Sequence, residues 1–210
     1  MDTSKTIRDY LDDLSSSSPT PGGGNVSALC GALACSLTMM VCNLTIGKKK
    51  YADVENEMKE ILGKVESIKN DFLKLAEEDN KAFNKVMEAF RLPKETDEEK
   101  KSRAAKIDDA TFQAAVVPSK VIETCRSVIP LINTISLKGN QNSLSDAGVA
   151  ASLLSTASEG AFLNVIINCT SLSNKILGEE LFKKSEVLVD EIKMNLEQII
   201  KNITSKLNPV

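Results

Sequence analysis

Histidine is absent from all 210 residues of this chain. That removes the commonest general base and the commonest metal ligand, so any catalysis rests on carboxylates, Lys, Tyr, Cys, amides or backbone dipoles. Tryptophan is absent too, and six Phe with two Tyr are too few to build base-stacking platforms. Neither sign of charge dominates. The 26 basic and 29 acidic side chains leave a net charge of −3, which argues against a nucleic-acid or membrane-surface protein. CxxC spacing is missing among the five cysteines, Cys30, Cys35, Cys42, Cys125 and Cys169. Their odd number and apolar surroundings argue against a disulfide framework or a zinc site, and they read as reduced core residues of a cytoplasmic protein. The opening Met1-Asp2-Thr3-Ser4-Lys5 lacks the apolar region of a signal peptide. Strand-like alternation and short internal repeats are not found either.

Charge is also missing from one long stretch, Gly22 to Gly47, which exceeds the length of a membrane span. It contains Asn25, Ser27, Ser36, Thr38, Asn43 and Thr45 among many Ala, Gly and Cys residues. A small-residue helix inside a soluble bundle fits that composition better than a span, so no membrane is expected.

What is present is helical periodicity. Ile7, Tyr10, Leu11 and Leu14 predict a short amphipathic helix, ended by Ser15 to Ser18, Pro19, Pro21 and three glycines. A long helix carries Met58, Ile61, Val65, Ile68, Phe72, Leu75, Phe83, Val86 and Phe90 and stops near Pro93. Thr96-Asp97-Glu98-Glu99 reads as a capping box opening the next helix, with a kink expected at Pro118 and another interruption at Pro130. Lys138-Gly139-Asn140 is a stop signal. Ser143 or Ser145 then caps a second small-residue helix, and Leu181 to Ile203 form a C-terminal amphipathic stripe. The expected fold is all-α, a single domain over 1–210 built as a bundle of about six long helices. The small-residue helices, roughly 25–46 and 144–170, should be central. Neither has a continuous polar face, so a second copy is another way to bury them and a homodimer is expected.

Several residues stand apart from a purely structural pattern. Asp79 falls on the apolar stripe between Ala76 and Phe83, where an unpaired charge is costly. It reads either as a carboxylate of raised pKa that acts as acid, base or ligand clamp, or as a satisfied buried Asp. Asp146, close to Asn140, Asn142 and Ser143, is either a helix-start contact or part of a cluster that binds a flat heterocycle. Gly22-Gly23-Gly24 place free backbone N–H groups at a helix start, suited to an oxyanion or to a tight turn. Lys48-Lys49-Lys50-Tyr51 is a solvated helix end or an attractor of a polyanion. Asn164 and Asn168 lie one turn apart on an apolar helix and need partners, in a neighbouring helix or in a ligand.

In order, the stretches SPTPGGGNVSALCGALACSLTMMVCNLTIGKKKY, EDNKAFNKVMEAFRLPKETDEEK and GNQNSLSDAGVAASLLSTASEGAFLNVIINC resemble the formiminotetrahydrofolate cyclodeaminase and methenyltetrahydrofolate cyclohydrolase family. The resemblance runs from about Ile7 to about Leu207. Asn25 departs from it, standing where the pattern carries Ser.

The resemblance implies an all-helical dimer acting on a tetrahydrofolate derivative, polyglutamylated forms included, with no cofactor beyond that substrate and no metal. It implies closure of 5-formiminotetrahydrofolate to the 5,10-methenyl form with loss of ammonia or, as the alternative, hydration of the methenyl carbon to 10-formyltetrahydrofolate. A formiminotransferase partner goes with the first reaction. By the same resemblance, Asp79 would move a proton or face the cationic carbon, and Asp146 with Asn140 or Asn142 would hold the pterin's donor edge. Gly22, Gly23, Gly24 and Asn25 would line the ligand, Asn164 would contact it, and Lys49 or Lys50, with Arg91 and Lys94 further out, would meet glutamate-tail carboxylates. A non-catalytic scaffold that kept the fold is a third reading. Its mark would be loss of the unusual polar residues, and Asp79, Asp146 and Asn140 are all present.

Overall fold

A computed structural model of the chain describes residues 5–208, and every regular element among them is helical. The elements are α1 (Ile7–Leu14), α2 (Gly23–Thr45), α3 (Glu55–Phe90), α4 (Asp97–Lys138), α5 (Leu144–Ser171) and α6 (Lys175–Leu207). Short 3-10 segments at Lys49–Val54, kinked at Tyr51, and at Gln141–Ser143 lead into α3 and α5. Helix α2 packs between α3 and α5, α5 between α2 and α6, and α4 touches all four.

Small residues set the helix spacing. At Gly31 of α2 a Cβ would run into the Phe72 ring of α3, so glycine lets that fully buried ring lie against the α2 backbone. The hydroxyls of Thr38 and Thr45 donate to the α2 backbone, to Ala34 O at 2.9 Å and Val41 O at 2.7 Å. Both capping-box halves form at Thr96: its Oγ1 accepts from the Glu99 N–H, and Glu99 Oε2 accepts from the Thr96 N–H.

Two differences from the sequence-based expectation concern α4 and the central pair. Helix α4 continues through both Pro118 and Pro130. Proline at 118 removes the donor for the Ala114 carbonyl, and Asn168 Nδ2 of α5 occupies that carbonyl at 3.1 Å. Pro130 and Arg126 are exposed, so the carbonyl freed there lies on the solvent side. Helices α2 and α5 are buried along one side only. Leu33, Met40 and Leu44 of α2 and Val149, Leu163 and Ile167 of α5 are exposed, the last two by 66% and 63%. Both helices are long and apolar enough to cross a membrane by length and composition, and each is packed along its buried side against neighbouring helices.

Candidate active site

Helix α2 begins without a side-chain cap of its own at Gly22. The carboxylate of Asp79, from α3, lies at that first turn. A Cβ at Gly24 would collide with it, so only glycine admits the acid so close to the α2 backbone. The Asn25 backbone N–H faces Asp79 and favours its charged form. Burial pushes the Asp79 pKa above the usual carboxylate range, and the Asn25 N–H opposes that shift. The result is a desolvated acid held at the positive end of a helix.

The same end gathers other polar groups. Asn164 of α5 packs its amide against Gly23 and donates to Gly160 O at 2.9 Å. Asn25 is fully buried, with Oδ1 accepting from the Tyr10 hydroxyl at 2.9 Å and Nδ2 donating to Ala76 O at 2.7 Å. Beside Asp79, the Oδ1 of Asn80 is buried and has no hydrogen-bond partner among the described residues.

A second cluster lies at the far end of α2. Asn140 donates its backbone N–H to Thr45 Oγ1 at 2.9 Å and its side-chain amide to Leu44 O at 3.1 Å. Its Oδ1 accepts from the Tyr51 hydroxyl and from the Asn142 N–H. The Tyr51 hydroxyl in turn accepts from the Gln141 N–H at 3.0 Å. This lattice pins the turn that carries the exposed Lys49 and Lys50 against the start of α5, where Asp146 is half-buried.

The family model described as formiminotransferase-cyclodeaminase matches residues 6–186. This chain belongs to that family. A methenyltetrahydrofolate cyclohydrolase from Methylorubrum extorquens is 44% identical over 204 residues, 97% of this chain and 98% of that protein. A formimidoyltransferase-cyclodeaminase from Mus musculus is 30% identical over 98% of this chain, which spans 38% of the mouse protein. The crystal structure of formiminotetrahydrofolate cyclodeaminase from Thermotoga maritima superposes with a TM-score of 0.80 at 29% identity, covering 95% of this chain and 98% of that one.

For a member of the cyclodeaminase family, the arrangement of candidate residues is instructive. Gly22, Gly23, Gly24, Asn25, Asp79 and Asn164 share one end of the bundle, while Lys49, Lys50, Asn140, Asn142 and Asp146 share the other. From Asn25 to Thr45 the separation is about 30 Å along α2. Arg91 and Lys94 are exposed beyond the end of α3, with Arg91 about 18 Å along the axis from Asp79. The Asn25 and Asn140 side chains both bond the protein's own groups, Asn25 joining Tyr10 to Ala76 and Asn140 joining Leu44 to Tyr51. Asn168 likewise serves the helix pair, bonding Ala114 O and Asn164 O. Sequence reasoning passed over Tyr10 and Asn80, because a Tyr on a short amphipathic helix and an Asn on a polar-faced one carry no local signal. Among the described residues no three His, Cys, Asp or Glu side chains group as a metal site would need.

Proposed function

We propose that this chain is a methenyltetrahydrofolate cyclohydrolase, opening 5,10-methenyltetrahydrofolate with water to 10-formyltetrahydrofolate. The observation that carries the reading is the desolvated Asp79 carboxylate against Gly24 at the start of α2. Water adds to the methenyl carbon between N5 and N10. Asp79 takes the proton that the water loses, and its negative charge favours the cationic carbon beforehand. The C–N5 bond then breaks, N5 takes up a proton, and the formyl group stays on N10, with one proton released overall. A raised pKa suits a group that accepts and returns a proton near neutral pH. Full-length similarity to the Methylorubrum extorquens cyclohydrolase supports hydration over ring closure.

The cyclodeaminase reaction, which the sequence placed first, is the second reading. Likeness to the Thermotoga maritima cyclodeaminase favours it. It passes through the same tetrahedral carbon, with N10 attacking and ammonia leaving, and it would bring a formiminotransferase into the pathway as partner.

The site is completed by a second copy of the chain. The apolar faces of α2 and α5 supply the interface, which buries Leu33, Met40, Leu163 and Ile167. A two-fold axis across these helices pairs them antiparallel, so the Asp79 end of one protomer meets the Asp146 and Lys49–Lys50 end of its partner. Asp146 then meets the pterin's donor edge, and the lysines meet the glutamate tail. The assembly is a soluble cytoplasmic dimer.

The methenyl chromophore tests the reaction. Accelerated loss of absorbance from 5,10-methenyltetrahydrofolate is the expected result. Growth of the chromophore from 5-formiminotetrahydrofolate, with ammonia released and no accelerated hydrolysis, would replace it with the cyclodeaminase.

A further inference from the structure

Helix α1 is tied to the bundle in a way that leads straight to the proposed catalytic acid. Of its eight residues only Tyr10 is buried, while Ile7 and Leu11 are 77% and 53% exposed. The Tyr10 hydroxyl reaches Asn25 Oδ1 at 2.9 Å. The Ala76 carbonyl, an acceptor only, must face the Asn25 NH2 group, at 2.7 Å. That fixes which way the amide points and leaves its oxygen for Tyr10, so the phenol must donate. Burial first, and the nearby Cys30 second, push the Tyr10 phenol above its usual pKa, which keeps the donor proton in place.

Asn25 therefore joins three helices. Its side chain is held by α1 and by the α3 carbonyl one turn before Asp79, and its backbone adjoins Gly24, against which the Asp79 carboxylate packs. We propose that Tyr10 is a positioning residue for the reaction: its hydroxyl locks the Asn25 side chain, and so holds the first turn of α2 in register with Asp79. The inference rests on the reading of Asp79 as the proton-handling group.

A double-mutant cycle on the full-length chain tests it, with kcat and KM measured on 5,10-methenyltetrahydrofolate and on 5-formiminotetrahydrofolate, and thermal unfolding followed in parallel. Tyr10→Phe removes one oxygen. It should lower kcat about tenfold on the substrate that is turned over, with KM within about twofold, because the acid and not the ligand is displaced. In an Asn25→Ala background, where the amide to be locked is gone, Tyr10→Phe should lower kcat no further. If Asn25→Ala does not fold, Asn25→Ser replaces it as the second corner. An unchanged kcat in Tyr10→Phe with only a lower unfolding temperature, or the same loss in both backgrounds, overturns the inference and leaves the role of Asp79 intact. Wild-type turnover in Asp79→Asn overturns the reading of Asp79 and the inference with it.

Discussion

At the scale of single residues, Asp79 joins stability to chemistry in opposite senses. Burial makes its ionisation harder in the folded chain than in the unfolded one. Its contribution to stability is therefore complete below the unfolded carboxylate's pKa, and is lost as pH rises through the raised folded value. Asp79→Asn keeps the shape and removes the titration. The variant should unfold at a higher temperature than the parent at pH 8, and the gap should close as the pH is lowered towards about 4. Circular dichroism melts across that range measure it, and a gap independent of pH would contradict the burial argument. The same substitution should cut kcat by at least about a hundredfold if the carboxylate carries the proton. An acid that weakens the fold when charged, yet is kept against the first turn of a helix, is what a retained functional group looks like.

At the scale of elements, α4 shows how a helix keeps two prolines in its interior. Each proline removes one donor, and the cost depends on where the orphaned carbonyl points. The carbonyl left by Pro118 is inside the bundle and is met by Asn168 across the α4–α5 contact, with a sequence separation of 54 residues. Asn168→Ala should therefore cost about 1–3 kcal/mol, the usual consequence of an unsatisfied buried acceptor. Pro118→Ala restores the donor, so in that background Asn168→Ala should cost much less. Denaturant unfolding of the four proteins tests the coupling, and equal costs in both backgrounds would separate the two residues. The sequence showed an interruption here because a proline's local effect is visible and its remote remedy is not. It showed Asn168 as a polar residue in need of a partner, and its amide nitrogen donates to the Ala114 and Asn164 carbonyls.

At the scale of the whole molecule, the two groups of candidate residues are too far apart in one chain to touch the same carbon. If two copies share each site, co-expressing an Asp79→Asn chain with an Asp146→Ala chain should recover about a quarter of the wild-type activity, since half the dimers are mixed and each holds one intact site. No recovery would place both halves of the site within a single chain. Charge on the open face, as in Leu163→Glu with Ile167→Glu, should leave a helical monomer without activity, read by light scattering and the chromophore assay. A fully active monomer would dispose of the shared site.

The order and approximate limits of the helices, the Thr96 capping box, the uncharged character of α2 and the unusual place of Asp79 were all present in the sequence, because each depends on residues within a few turns of one another. Tertiary structure alone decided which end of the bundle each candidate occupies. It also decided that the Asn25 side chain lies between Tyr10 and Ala76, and that Asn140 bonds Thr45 and Leu44. Those facts depend on contacts such as Asn25 with Ala76, 51 residues apart, and Asn140 with Thr45, 95 apart. Helical periodicity reports which face of a helix is buried, but carries no information about which neighbour, or which end of it, lies opposite.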